Sequence, residues 1–206
     1  MSDADTITKN AKSNLAFTLV DLPEERRQNM ARLYAFCRIV DDVVDEPGMS
    51  SDERHTALDR WETIITCQAE PLPGIESEVQ KLVVEQQLDT TPLLELIAGC
   101  RADIAPVQPA TRKELLHYAY QVAACVGISS AAVMGASPAA HGYAIALGYA
   151  LQLVNILRDV PEDYHEHGRI YLPADDMELF GVTTDDIRNL RYNYRVRQLL
   201  AYEAAL

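Results

Sequence analysis

The 206 residues are enough for one domain with its own hydrophobic core, and 48% hydrophobic with 24% charged residues is the profile of a folding chain rather than a disordered one. A formal net charge of −13 excludes the clustered Lys and Arg surface that nucleic acid or an anionic bilayer requires, and an anionic substrate on so acidic a protein needs a cation between them. No apolar run approaches the roughly 20 residues of a membrane span, and the polar start from Met1 to Asn10 has no signal-peptide character, so a cytoplasmic protein is expected.

Between Leu22 and Glu46, apolar side chains at Met30, Leu33, Tyr34, Cys37, Val40, Val43 and Val44 follow steps of three and four, which predicts a long amphipathic helix. Pro23, Glu24 and Glu25 suit its first turn, and Pro47-Gly48 stop it. A Ser50-Ser51-Asp52 cap opens a second helix carrying Leu58, Trp61, Ile64 and Ile65, which breaks at Pro71-Leu72-Pro73-Gly74. Shorter helices follow near Glu76 to Leu88 and Thr91 to Arg101, and Thr111 with Glu114 reads as a capping box for a helix running past Val122.

The alanine- and leucine-rich stretch from Pro138 to Val160, uncharged until Arg158, is expected to be central and buried, with Gly142 and Gly148 permitting close packing. Pro161 removes a donor and clashes with the carbonyl of Leu157, so the helix should kink or end there. His165 to Gly181 reads as turn-rich, and a last helix is expected from Thr184. Cys37, Cys67, Cys100 and Cys125 form no C-x-x-C pair and read as buried thiols rather than zinc ligands or disulfides. Without repeats or strand alternation, the class is all-α, a single helical bundle over residues 1–206 whose site faces an interior cavity.

Chemistry concentrates at two places. Asp41 and Asp45 are four residues apart and share a helix face, their Cβ atoms about 5–6 Å from one another. Carboxylates held that close repel unless a cation bridges them, and hard oxygen ligands at this spacing suit Mg²⁺, which takes one or two carboxylates plus substrate phosphates. The spacing recurs at Asp159 and Asp163, with Asn155 and Gln152 one and two turns earlier. One such pair is commonly a solvated helix face; two, each ending an apolar helix, point to a site. Arg38 before Asp42 and Arg158 before Asp159 leave two readings open, ion pairing that merely neutralises the acids or a guanidinium clamp on phosphate. His165 and His167, around Glu166, read as exposed turn residues without a role.

The run Leu33-Tyr34-Ala35-Phe36-Cys37-Arg38-Ile39-Val40-Asp41-Asp42-Val43-Val44-Asp45 resembles the squalene and phytoene synthase family. So does Gln152-Leu153-Val154-Asn155-Ile156-Leu157-Arg158-Asp159-Val160-Pro161-Glu162-Asp163 with Gly168-Arg169-Ile170-Tyr171-Leu172-Pro173, and the resemblance runs from about Lys12 to the end. It implies an isoprenoid-synthase-type helical bundle with a central cavity, in which Asp41, Asp45, Asn155, Asp159 and Asp163 hold Mg²⁺ on prenyl diphosphates. Tyr34, Arg38 and Arg158, with Ser13 or Asn14, would contact diphosphate. Tyr118, or alternatively Tyr120, would line the reaction centre, while Val122, Val126, Gly127, Leu151 and Gln152 would line a prenyl tunnel.

The implied reaction is head-to-head condensation of two farnesyl or geranylgeranyl diphosphates through a cyclopropyl diphosphate, giving presqualene diphosphate and squalene, or phytoene; squalene alone would call for NADPH. A greasy product implies peripheral contact with a membrane, although no basic amphipathic stretch supports it. The resemblance also implies further helices beyond Leu206 that close the cavity, and without them the alternative is a non-catalytic helical binding partner. Nothing in the sequence indicates an oligomeric state.

Overall fold

The structure, a computed structural model, describes residues 2–10, 21–105, 107–189 and 191–205, and among these every regular element is helical. In chain order they are α1 (Asp3–Asn10), α2 (Glu24–Asp45), α3 (Ser51–Ile65), α4 (Ile75–Glu85), α5 (Thr91–Ala102), α6 (Arg112–Ala119), α7 (Cys125–Val133), α8 (His141–His167), α9 (Ala174–Phe180), α10 (Thr184–Arg188) and α11 (Tyr194–Glu203).

The main core forms where the apolar stripe of α2 meets α3, α4, α5 and α7. Leu33, Phe36 and Val40 of α2 are sealed from solvent against Leu58, Trp61, Ile64, Leu82 and Ile97. Phe36 meets the Trp61 ring edge to face, with centroids 5.5 Å apart and planes at 72°; burying such a side chain contributes about 1.5–3 kcal/mol. The caps behave as their chemistry dictates. Ser50 and Glu53 form a complete capping box on α3. At Thr111 the hydroxyl accepts from Glu114 N, but Glu114 returns its carboxylate to Ala110 N at 2.8 Å, one residue earlier than expected.

A second, smaller core joins the end of α8 to α9, α10 and α11 through Val160, Leu172, Met177, Ile187, Val196 and Leu199. It explains why Pro161 does not end α8. Leu157, Val160 and Tyr164 all pack into this cluster, so tertiary contacts on both sides of the proline hold the helix for six residues beyond it. Arg112 at the start of α6 reinforces the same region, donating to buried Glu203 at 3.4 Å and lying 4.2 Å from the Tyr202 ring centroid.

Between α6 and α7 the helix continues through a π turn at Tyr120–Ala124, the kind of single-turn bulge often found beside functional sites. α8 crosses this segment at backbone distance. A Cβ on Gly148 would fall 2.5 Å from Ala124 Cα, and one on Gly127 would fall 2.7 Å from Ala144 O, so neither position accepts a larger side chain without displacing backbone.

Several expectations are corrected. α1 forms in the polar N-terminal stretch because Glu78 accepts from the amides of Asp3 and Ala4 at 2.9 and 3.3 Å, satisfying donors that the helix leaves free. α8 is not buried all round: Tyr143, Leu147, Leu151 and Val154 form an exposed apolar stripe, and Gly142 has open space around it. Within Pro138–His167 one 18-residue window reaches a mean hydropathy of 1.2, so by length and composition alone this helix is more span-like than the sequence reading expected. The turn-rich region contains α9, and the helix begun at Thr184 is a short α10 followed by a separate α11. Cys67 is exposed, taking the left-handed φ of 57° just past α3, while Cys100 and Cys125 are buried.

Candidate active site

The fold brings the two acidic segments to one place. The C-terminal end of α2 carries Asp41 and Asp45, and α8 presents Gln152, Asn155, Asp159 and Asp163 on the face opposite, all lining a hollow of about 190 Å³. The side chains are apart enough that, among the described residues, no three acidic, histidine or cysteine groups already meet as a metal cage.

Crowding shows in the protonation equilibria. Burial raises the Asp41 carboxyl, an effect that Arg38 opposes and Asp45 and Asp42 reinforce. Burial and the charge of Asp159 push Asp163 up to about 6. Asp159 goes the other way, because Arg158 donates to it from Nε at 2.6 Å and Nη2 at 2.5 Å. Hard oxygen donors that bear such mutual repulsion fit a divalent cation.

Neither Arg38 nor Arg158 lines the hollow. Arg38 is paired with Asp42 at 2.6 Å and reaches Asp41 at 3.5 Å, so the ion-pairing reading describes both arginines in this structure. Tyr34 is half-buried on α2, two turns before Asp41, also outside the lining. Val122 packs against α5, its Cγ1 2.7 Å from where a Gly99 Cβ would stand, and Val126 packs on the main core; Leu151 belongs to the exposed stripe. Ser13 and Asn14 lie outside the described residues. Of the tunnel candidates, Gln152 alone reaches the acidic hollow.

The structure adds residues to which no role attaches from sequence. Arg169, in the loop after α8, donates from Nη2 to Asp45 Oδ1 at 2.9 Å and to the Asp103 carbonyl at 3.2 Å, and its Nε is buried without a partner among the described residues. Asp103, just past α5, accepts from Tyr118 Oη at 2.8 Å and from Tyr171 Oη at 3.2 Å. The two tyrosine rings stack with centroids 4.8 Å apart. Asp103, Tyr118, Arg169 and Tyr171 also line a neighbouring hollow of about 660 Å³, so they stand as a wall between the two spaces. His167 is exposed, as expected, but it ends α8 rather than sitting in a turn and lines the acidic hollow, with Nδ1 3.5 Å from Asp45 Oδ1. Tyr120 lines neither hollow, which separates it from Tyr118.

An all-helical chain with two facing aspartate segments over one hollow defines the isoprenoid-synthase type of domain, and the comparisons agree. The chain matches the squalene/phytoene synthase family over residues 8–206. It is 36% identical to phytoene synthase from Arthrospira platensis across 88% of this chain and 63% of that protein, and 36% identical to a chloroplastic phytoene synthase from an Oncidium hybrid cultivar across 92% of this chain and 48% of the relative. Among solved structures, a dehydrosqualene synthase superposes with a TM-score of 0.82 at 33% identity, covering 98% of this chain and 71% of that one. Squalene synthase HpnC from Alicyclobacillus acidocaldarius gives 0.82 at 28% identity, covering 98% and 77%. The chain belongs to the squalene/phytoene synthase family, and it spans about half to two thirds of the length of these curated relatives.

Proposed function

We propose that the chain is a prenyl transferase that joins two prenyl diphosphates, farnesyl or geranylgeranyl, head to head through a cyclopropyl diphosphate. The observation that carries this reading is the convergence of Asp41 and Asp45 from α2 with Asn155, Asp159 and Asp163 from α8 on a single hollow. These five side chains would hold Mg²⁺, which when bound supplies Lewis-acid neutralisation of a departing diphosphate. The family's named activities, phytoene, squalene and dehydrosqualene synthesis, support the same class.

The chain's own residues have distinct tasks in this reading. Arg169 Nε, without a partner among the described residues, offers a buried donor beside the acids, suited to a diphosphate oxygen. Arg38 and Arg158 exchange part of their carboxylate pairing for phosphate as substrate arrives. Gln152 and Asn155 add uncharged polar groups that orient the ester oxygen. In the larger hollow Ala102, Ala105 and Ile170 give the prenyl tail an apolar surface next to the site of ionisation. Tyr118 and the diphosphate itself stand as the bases nearest the carbon that loses a proton. The condensation consumes no reductant.

The deciding experiment incubates the folded chain with farnesyl or geranylgeranyl diphosphate and Mg²⁺, measuring diphosphate release and the length of the product. Release with a C30 or C40 cyclopropyl product establishes the reaction. Folded protein that releases diphosphate from neither substrate leaves the non-catalytic helical partner as the reading.

A further inference from the structure

Asp103 belongs to neither aspartate segment, yet both of its carboxylate oxygens are engaged by tyrosines beside the hollow. Its Oδ2 accepts from Tyr118 Oη at 2.8 Å and its Oδ1 from Tyr171 Oη at 3.2 Å, so one carboxylate fixes both stacked phenols. A phenol has a single proton. With that proton committed to Asp103, the Tyr118 oxygen can turn only lone pairs toward a substrate.

Burial and the Asp103 charge hold the Tyr118 phenol far above its ordinary range, so it is no standing phenolate. A neutral phenol accepts a proton only if its own departs in the same event. Burial also raises the Asp103 carboxyl from its ordinary value, which favours its receiving that proton. Asp103 lines both hollows, and the larger one offers the proton an exit.

We propose that Tyr118 and Asp103 form a proton relay, with Tyr118 as the group that meets the substrate and Asp103 as the positioning residue that orients it and takes its proton. The inference rests on the condensation reading above. In that reaction the donor's C1–O bond breaks and its electron pair leaves with diphosphate. The acceptor's C2=C3 pair then bonds to C1, leaving the cation at C3. The C1–H pair closes the three-membered ring onto C3, and its proton passes to Tyr118 Oη as the Tyr118 proton passes to Asp103 Oδ2. One diphosphate and one proton leave the substrates, and Asp103 resets by releasing its proton to water.

The test compares wild type, D103N, Y118F and the double variant as full chains with geranylgeranyl diphosphate and Mg²⁺, measuring diphosphate release and cyclopropyl diphosphate separately. The amide introduced by D103N would still accept the phenol hydrogen bond but cannot take up a proton. The expected result is a loss of about 100-fold or more in ring formation, while diphosphate release falls less than about threefold and the cation stranded at C3 is captured by water and recovered as a coupled diphosphate carrying a tertiary hydroxyl. Y118F should reproduce this, KM should stay within about threefold, and the double variant should be no worse than either single, as for residues acting as one unit.

Ring formation within about threefold of wild type, equal loss of release and ring formation, or losses that multiply in the double variant would each overturn the relay. If D103N does not fold by circular dichroism, Y118F decides on the same criteria. Wild type that releases no diphosphate defeats the condensation itself and the relay with it, whereas active wild type with unaltered variants defeats the relay alone.

Discussion

The two aspartate pairs have the same spacing and opposite electrostatics. On α2, Arg38 reaches forward onto Asp42 and Asp41, and Asp45 is met from a distant loop by Arg169, so these acids meet cations from two sides while burial still raises Asp41. On α8, Arg158 turns onto its own neighbour Asp159 and holds it low, while for Asp163 burial, Asp159 and Glu162 outweigh the through-space fields of His167 and Arg169. Helical spacing thus decides which carboxylates share a face. The direction each arginine takes settles Asp159, and burial leaves Asp41 and Asp163 as the carboxylates raised and wanting a cation.

The contrast can be broken at its strongest point with D41A, for which we expect turnover to fall by more than about 10³-fold with helicity unchanged, as when groups stabilising a leaving charge are removed. Parallel assays of diphosphate release and circular dichroism check it, and retained turnover would remove Asp41 from the site. Next in size, R169A should lower stability by about 2–3 kcal/mol in urea unfolding, because it strands Asp45 and the buried end of the loop.

A smaller and opposite effect is expected at Asp163. Its carboxyl is raised from the ordinary 3.8 to about 6, so the folded state favours the protonated form. In metal-free protein its contribution to stability is therefore highest below about pH 4 and is lost as pH rises toward 6. D163N should accordingly stabilise the metal-free protein at pH 7 by about 1 kcal/mol, after allowance for solvent screening of a half-buried group. Urea titrations in EDTA at pH 4 and pH 7 would show the gap between variant and wild type closing at the lower pH; a gap of equal size at both would refute this account. Smallest of all, R158A should change stability by less than about 0.5 kcal/mol, since its side chain is 65% exposed. A larger loss would show that the Arg158–Asp159 pair is structural.

Much of this was legible in local sequence. Periodicity predicted α2, α3 and α5 closely, because their caps and apolar stripes are written within a few residues of one another. The facing of Asp41 and Asp45 follows from helical spacing in the same way. Pro161 misled because the contacts holding α8 past it come from α10 and α11, which local rules do not see. The exposed stripe on α8 misled because composition does not tell which elements cover a helix. Asp103 had no signal at all: its partners Tyr118 and Tyr171 lie 15 and 68 residues away. Tyr171 and Arg169 did stand within the motif Gly168 to Pro173, and an arginine and tyrosine alternating in a loop just past an acidic helix is a signal that could have singled them out.

The Arg169 to Asp45 bond spans 124 residues, and this separation has a bearing on biogenesis. The α2 to α5 core can collapse from contacts among neighbouring segments while later residues are still being added. The acidic end of α2 must wait for the loop that follows α8, at a rate of roughly 5–20 residues per second during synthesis. For several seconds a nascent chain would therefore carry an unbraced cluster of like charges on an otherwise packed core. Ribosome-bound chains halted before and after residue 169 should differ in the protease sensitivity of the α2 terminus.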